Sequence, residues 1–92
     1  MLVNLFDATF SHDVCSTAWK TPKHIRYTRN AADFDGVTLF TDGFIYSHPH
    51  KVRSPYKIGW LHEPPELIPS VYTHAADAAA SGRLDYILTY HP

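Results

Sequence analysis

The segment Lys57-Ile-Gly-Trp-Leu-His-Glu-Pro-Pro-Glu66 decides the fold, because it has the composition of a buried strand that stops at a carboxylate. Ile58, Trp60 and Leu61 supply the apolar part of that strand. Glu63 stands directly before two prolines, where the backbone can continue neither as a fully hydrogen-bonded strand nor at once as a helix. In α/β domains, ligands bind just past the carboxyl ends of the strands. The segment therefore predicts both a strand and the edge of a site.

The residues that follow predict a helix and one more strand. Apolar residues recur at helical spacing from Pro69 to Ser81, and Gly82 suits the position just after a helix. A last strand follows at 85–90. A strand, a helix and a strand with short joints form a right-handed βαβ crossover, so 57–61 is predicted to pair in parallel with 85–90. The predicted buried helical face consists of Ile68, Val71, Tyr72, Ala75, Ala76 and Ala79.

The residues before the segment predict three further strands. Two are short apolar runs, and the second is stopped by the turn signal Asp42-Gly43. A third run alternates polar and apolar residues, as an exposed or edge strand does. The fold class is therefore α/β, with a small and mainly parallel sheet. The predicted elements are strands at 2–6, 24–28 and 37–41, a loop at 8–23 with at most a turn of helix, a turn at 30–36 and a loop at 44–56.

The composition is that of one small globular domain spanning residues 1–92. Hydrophobic residues make up 45% of the chain and the formal net charge is −1, which argues against disorder and against binding nucleic acid by bulk charge. The single cysteine, Cys15, cannot form an internal disulfide, which favours a reducing compartment. No apolar run approaches the roughly 18–20 residues that cross a bilayer. We therefore predict a cytoplasmic protein with neither nucleic acid nor a membrane as its partner.

Carboxylates near the predicted strand ends are the best candidates for chemistry. Glu63 is a candidate general base, because an apolar strand end and two prolines desolvate a carboxylate and make it a stronger proton acceptor. A purely local role for Glu63 fits the sequence equally well. Glu66 more simply charges the first turn of the helix, where a carboxylate is favoured by about 0.3–1 kcal/mol. Asp42 ends a neighbouring strand and is expected to line the same cleft as Glu63.

The seven histidines raise the question of a metal site. His48 and His50, with His62 and Glu63, have the chemistry of a zinc or iron ligand set. A His-x-His in a loop is weakly specific, so we predict no metal, and a site built from the three histidines stays an alternative. Cys15 is most simply a free thiol. The four glycines are dispersed and form no phosphate-binding loop, so no nucleotide site is predicted here.

The run from Tyr56 to Pro69, with the later strand Leu84-Asp-Tyr-Ile-Leu-Thr-Tyr90, resembles the acceptor-side half of alpha-1,3-fucosyltransferase-like enzymes and of related phage and bacterial glycosyltransferases. That family has a strand rich in Trp and aliphatic residues that ends in a Glu-x-Pro segment, then a short helix, then a strand reading roughly Phe-Asn-Trp-Thr-x-Ser-Tyr. Glu63 with Pro65 matches the Glu-x-Pro segment. The apolar strand 37–41 matches the one that the family places before its Trp strand.

The resemblance implies two Rossmann-like lobes and an inverting transfer of a sugar from a nucleotide-sugar to an acceptor hydroxyl. The Glu of the matched segment is proposed in the family to deprotonate the acceptor, so this role comes to Glu63. The carbohydrate acceptor is expected to contact Trp60, His62, Asp42 and Glu66. The nucleotide-sugar would be held by a second lobe, so this chain is expected to carry no cofactor and to be inactive alone.

The end of the chain supports a second interpretation. The last predicted strand looks central in the sheet, yet only His91 and Pro92 follow Tyr90. Because parallel strands are normally covered on both faces, we expect a truncated reading frame or the first half of a larger protein. The uncovered sheet face would favour homo-oligomers. The alternative to a glycosyltransferase lobe is therefore a small α/β interaction module that self-associates and catalyses nothing.

Overall fold

Five parallel strands form one sheet in the computed structural model of the protein, which describes residues 1–7, 24–62 and 69–89. Their order is β2-β1-β3-β4-β5, one of the common orders of Rossmann-like open sheets. The predicted α/β class with a mainly parallel sheet is therefore confirmed. The strands are β1 (Leu2–Phe6), β2 (Arg26–Arg29), β3 (Val37–Thr41), β4 (Tyr56–Leu61) and β5 (Tyr86–Thr89), and the helices are α1 (Phe44–Ser47) and α2 (Pro69–Ala80).

Alternate residues along the strands build two cores, one on each face of the sheet. The face that carries both helices, here called the helical face, is centred on the fully buried Phe40, whose ring stacks on Phe6 at 5.4 Å. The opposite face, here called the outer face, carries a smaller core. The helical-face core also contains Ile45, Val52, Leu61, Ala75, Ala78 and Leu84, and the outer-face core consists of Val3, Leu5, Tyr27 and Leu39.

A short extended connection joins β2 to β3, where a parallel crossover normally takes a dozen or more residues. Only residues 30–36 lie between these strands. The fully buried Asn4 of β1 holds this connection, because its side-chain amide donates to the Ala31 carbonyl at 2.9 Å and its Oδ1 accepts from the Ala31 N–H at 3.1 Å. The same amide lies 3.2 Å from the Thr38 hydroxyl. A buried side chain thus satisfies the backbone groups that a helix would have satisfied internally.

Two glycines stand where a side chain would be unfavourable, Gly59 because of close neighbours and Gly82 because of its backbone angle. A Cβ on Gly59 would lie 2.9 Å from Leu84 Cδ1 and 3.1 Å from Ile45 Cδ1, so a larger residue would force these side chains of the helical-face core to shift. Gly82 has φ +79° and ends α2 in the left-handed conformation. The N–H of Arg83 then donates to the Ala78 carbonyl at 2.8 Å. The predicted role of Gly82 just past the helix is confirmed.

The predicted C-terminal crossover is confirmed in its pairing. β4 and β5 pair in parallel, with Ile58 opposite Tyr86 and Leu61 opposite Thr89. The predicted face of α2 is partly wrong. Ala75 and Ala78 are the buried residues, whereas Ala76 and Ala79 are exposed, and Ile68 lies outside the described residues.

Two other predictions need correction. The predicted loop at 44–56 contains the one-turn helix α1, whose Ile45 is buried in the helical-face core. The last strand lies at the edge of the sheet in the described part of the chain, not at its centre, and most of its residues are exposed. Neither described helix is long and apolar enough to span a membrane.

Candidate functional site

The chain order reverses between β1 and β3, because β2 lies on one side of β1 and β3 on the other. In open parallel sheets this reversal opens a crevice at the carboxyl ends of the strands, where ligands bind. Aspartates stand directly after both strands at this point, Asp7 after β1 and Asp42 after β3. His62 follows β4, the next strand along. The side chains at this edge therefore form one candidate site.

Asp42 and His62 are the pair that joins the ends of β3 and β4. The Oδ1 of Asp42 accepts a hydrogen bond from the His62 backbone N–H at 3.0 Å, and its Oδ2 lies 3.6 Å from His62 Nδ1. The two side chains are 17% and 16% exposed, so each is largely shielded from the solvent. A carboxylate beside an imidazole nitrogen fixes the orientation of the ring.

Asp42 also has an unusual backbone. Its φ is +43°, in the left-handed region that residues other than glycine seldom adopt. The Asp42 N–H donates to the Trp60 carbonyl at 3.2 Å, and its own carbonyl accepts from the Ile45 N–H at 3.0 Å, so the turn is tied to both β4 and α1. Aspartate tolerates this conformation better than most residues. The strained turn aims the carboxylate at the end of β4.

Trp60 provides the apolar wall of the site. Its indole meets the His62 ring edge-on, with the ring centroids 4.3 Å apart and an interplanar angle of 76°. The body of the indole packs against the outer-face core, which leaves it partly buried. Trp60 is also the cross-strand partner of Thr41 in β3. An aromatic ring beside hydrogen-bonding groups is an arrangement suited to a ligand with apolar faces and polar edges.

A second set of polar side chains lies further along the same edge of the sheet, toward β2. The Thr41 hydroxyl lies 2.6 Å from Asp7 Oδ1 and 3.3 Å from the Phe6 carbonyl. Arg29 Nη1 of β2 lies 3.9 Å from Asp7 Oδ2, and the side chain of Asp7 is 0% exposed. Arg29, Asp7 and Thr41 were not among the sequence candidates. The available signal was that Asp7 ends its strand as Asp42 does, but its neighbours depend on a strand order that the sequence pattern did not supply.

The structure brings together three of the predicted site residues, Asp42, Trp60 and His62. Glu63, the predicted base, and Glu66 lie outside the described residues, as does Cys15. Within residues 1–7, 24–62 and 69–89, no group of three or more His, Cys, Asp or Glu side chains is placed to hold a metal ion. The alternative metal site of three histidines is therefore not assembled.

His48, one member of that alternative, packs against the helical-face core. Its ring packs against Phe6 and Phe44, with centroids 5.1 and 4.9 Å away, and its Nδ1 lies 2.5 Å from the Ser47 hydroxyl. Desolvation by burial lowers the pKa of His48 below its ordinary value, and the nearby charges of Lys51 and His50 lower it further. A histidine in this environment is kept neutral and serves packing.

No family model, curated protein or solved structure matches the chain. Function is therefore inferred from the residues at the sheet edge and from their chemistry.

Proposed function

We propose that the chain is the acceptor-side lobe of an inverting glycosyltransferase and binds a carbohydrate acceptor at the carboxyl ends of β3 and β4. The observation that carries the proposal is the contact of Asp42, His62 and Trp60 at this edge. The Rossmann-like sheet supports it, since lobes of this class use such sheets. Glu63, the residue directly after His62, is the candidate base.

The chemistry of a sugar matches these side chains. The hydroxyls of a sugar donate to a carboxylate such as that of Asp42, and its C–H face packs on an indole such as that of Trp60. In the transfer step, Glu63 takes the proton of the attacking acceptor hydroxyl. The new bond forms at the anomeric carbon as the nucleotide diphosphate leaves. The nucleotide-sugar would be held by a second lobe, so the 92-residue chain binds acceptor but does not transfer by itself.

Fluorescence of Trp60 provides the first test. The chain has two tryptophans, so Trp19→Phe leaves Trp60 as the only indole reporter. We expect saccharides selected on a glycan array to change its emission in a saturable manner. Asp42→Asn should weaken that binding about tenfold or more, because it removes a charged hydrogen-bond acceptor worth about 1.5–3 kcal/mol.

The matched control is Asp35→Asn, which removes an exposed carboxylate from the β2–β3 connection. Its affinity for the saccharide should equal that of the parent. Absence of saccharide binding, or equal losses in the two variants, would overturn the acceptor site. The role of Glu63 is tested separately, because Glu63→Gln should keep acceptor binding and abolish transfer once a donor-binding lobe is supplied.

A second candidate function is that of a self-associating interaction module. The observation that favours it is the open outer face at β4 and β5, where Tyr86 and Leu88 are 65% and 48% exposed. In the described part of the chain, both helices pack on the opposite face. Since parallel sheets are normally covered on both faces, a second copy of the chain would bury these side chains.

Light scattering over a dilution series tests this candidate. The expected result is a dimer that Leu88→Lys converts to a monomer. The matched control is Leu2→Lys, since Leu2 is 51% exposed but lies in β1, away from the proposed interface. A monomer at every concentration, or an equal effect of the two lysines, would exclude a dimer through this face.

A further inference from the structure

A concave site lies on the helical face, away from the sheet edge described above. It is a cleft of about 530 Å³ between α1 with its following turn and the C-terminal part of α2, within the range of about 300–1,000 Å³ that small-molecule sites occupy. His62 and Asp42 do not line it. The lining residues are Ile45, Tyr46, Ser47, His50, Lys51, His74, Asp77 and Arg83.

The charges around this cleft are mostly positive. Lys51 lies on one side and Arg83 on the other, against a single carboxylate, that of Asp77. Neither Lys51 nor Arg83 forms an ion pair in the part of the chain that the structure describes. His50 and His74 add two imidazoles that can donate hydrogen bonds. A cavity lined by unneutralised cations attracts anions from solution.

Both cations are attached to main chain that is held in place. The turn that carries Lys51 is closed by a hydrogen bond from its N–H to the His48 carbonyl at 2.9 Å. It is also tied to β4, because Lys57 Nζ donates to the Pro49 carbonyl at 2.6 Å. Arg83 follows the left-handed Gly82, and its N–H bonds back to α2. The two charged walls of the cleft therefore stand on ordered backbone.

An aromatic pair connects the two walls. The rings of Tyr46 in α1 and His74 in α2 stack with centroids 4.2 Å apart and an interplanar angle of 27°. Tyr46 is nevertheless 65% exposed, so much of its phenol is open to the cleft and the solvent. An exposed ring beside cations can pack against a planar or sugar ring of a ligand while the cations bind its charged group.

The electrostatics of a neighbouring residue agree with a positive cleft. Lys51 and His50 both act on His48, where their charge adds to the effect of burial in lowering the pKa. His48 belongs to the same turn but packs inward, against Phe6 and Phe44. The charges of Lys51 and His50 therefore act on His48 as well as lining the cleft.

We infer that this cleft binds a small organic phosphate, with Lys51 and Arg83 on the phosphate and the Tyr46 ring against the organic part. Arginine forms paired hydrogen bonds with phosphate oxygens, and lysine adds a compact charge. A phosphate ion alone would fill only a fraction of the cleft. A ligand whose phosphate is attached to a ring would fill more of it and is therefore favoured. The inference does not depend on the proposed acceptor site, which lies at a different edge of the sheet.

Nuclear magnetic resonance titration of the ¹⁵N-labelled chain tests the inference. The probes are adenosine 5′-monophosphate, ribose 5-phosphate, inorganic phosphate and adenosine. We expect both organic phosphates to shift the amide signals of Tyr46, Lys51, His74 and Arg83 in a saturable manner, with affinity that falls as salt is added. The stronger of the two identifies whether a base or a sugar ring is preferred. Inorganic phosphate and adenosine should each bind at least tenfold more weakly than that ligand.

Variants locate the binding. Lys51→Gln and Arg83→Gln should each weaken the binding of the better organic phosphate about tenfold. Both residues are exposed, so the substitutions should leave the fold intact. The matched control is Arg26→Gln, which removes an exposed arginine from β2 at the far edge of the sheet and should leave the affinity unchanged. Absence of binding by either organic phosphate, or equal losses in all three variants, would overturn the inference. Equal affinities for inorganic phosphate and the organic phosphates would overturn the role of Tyr46.

Discussion

Asp7 and Asp42 occupy equivalent positions, each directly after one of the two adjacent strands at the reversal of chain order, yet their surroundings differ. The side chain of Asp7 is fully buried between Thr41 and Arg29. Asp42 is 17% exposed, stands on a left-handed turn and faces His62. The same residue type at the same place in a strand is therefore a structural anchor in one case and an accessible group in the other. Exposure and partners, rather than position alone, separate the two roles.

The largest effect is expected from Asp7→Ala. Removing this carboxylate deletes its ion pair with Arg29 and the charged acceptor of the Thr41 hydroxyl, both in largely buried surroundings. Breaking one side of a buried pair is costly, and we expect the free energy of unfolding in urea to fall by about 3 kcal/mol.

The control for Asp7 is Asp33→Ala. Asp33 and Arg53 have the same 3.9 Å separation as Asp7 and Arg29, but their side chains are 73% and 84% exposed. Exposed pairs contribute little, so this variant should lose less than about 0.5 kcal/mol. Similar losses in the two variants would show that burial does not distinguish Asp7 and would remove the basis of the comparison.

The next largest loss of stability is expected from Thr41→Val. This substitution keeps the shape of the side chain and removes the hydroxyl that lies 2.6 Å from Asp7 Oδ1. A hydrogen bond to a charged group is worth about 1.5–3 kcal/mol, so we expect urea unfolding to report a loss of about 1.5 kcal/mol. A double-mutant cycle with Asp7→Ala should give a coupling of about 1 kcal/mol. Thr38→Val changes a buried threonine three residues earlier in β3, on the helical face, and should show no coupling with Asp7. Additive effects of Thr41→Val and Asp7→Ala would contradict the contact.

The sequence could predict the parts of the fold that local patterns encode, but not the parts that depend on contacts between residues far apart in the chain. The strands at 2–6 and 37–41 and the helix from Pro69 were predictable because apolar runs and helical periodicity are local patterns. The helix α1 was not, since one turn is too short to show a period. Asn4 was also overlooked: an amide inside an apolar strand has meaning only when its partner, Ala31, is known.

The candidate site likewise contains residues that could be predicted from the sequence and residues that could not. Asp42 was predicted because it stands at the end of a strand, where α/β domains bind ligands, and Trp60 and His62 were predicted as neighbours of Glu63 in the segment that carries the family resemblance. Asp7 and Thr41 were not predicted, because their contact requires β1 and β3 to be neighbours. That adjacency is a long-range property of the sheet, and a single sequence shows no periodicity that encodes it. The cleft between α1 and α2 was missed for a related reason, since α1 itself was not predicted.

The two histidines repeat the contrast between the aspartates, since His48 packs against the helical-face core and His62 lies at the candidate site. Because the pKa of His48 is lowered from 6.5 in the folded chain, its imidazole stays neutral there while the unfolded chain takes up a proton. The contribution of His48 to stability is therefore fully present at pH values above its pKa in the unfolded chain. It declines as the pH falls through about 6.5 and below. Urea unfolding between about pH 7 and pH 5 should show that decline.

The variant His48→Phe isolates this contribution. Phenylalanine keeps a ring against Phe6 and Phe44 but cannot take up a proton, although it loses the hydrogen bond to Ser47. We expect a smaller acid-dependent loss of stability than in the parent, whatever the change at neutral pH. If the free energy of unfolding falls with pH as steeply in this variant as in the parent, the acid sensitivity belongs to other groups, and the neutral state of His48 is contradicted.

The smallest effect on stability is expected from Asp42→Asn. Asparagine also tolerates the left-handed region, and its Oδ1 can still accept the hydrogen bond from the His62 N–H. We therefore expect the free energy of unfolding to change by less than about 0.5 kcal/mol, while the affinity for a saccharide falls. A loss above about 1.5 kcal/mol would make Asp42 a structural anchor like Asp7, because a carboxylate retained for ligand binding should be dispensable for folding.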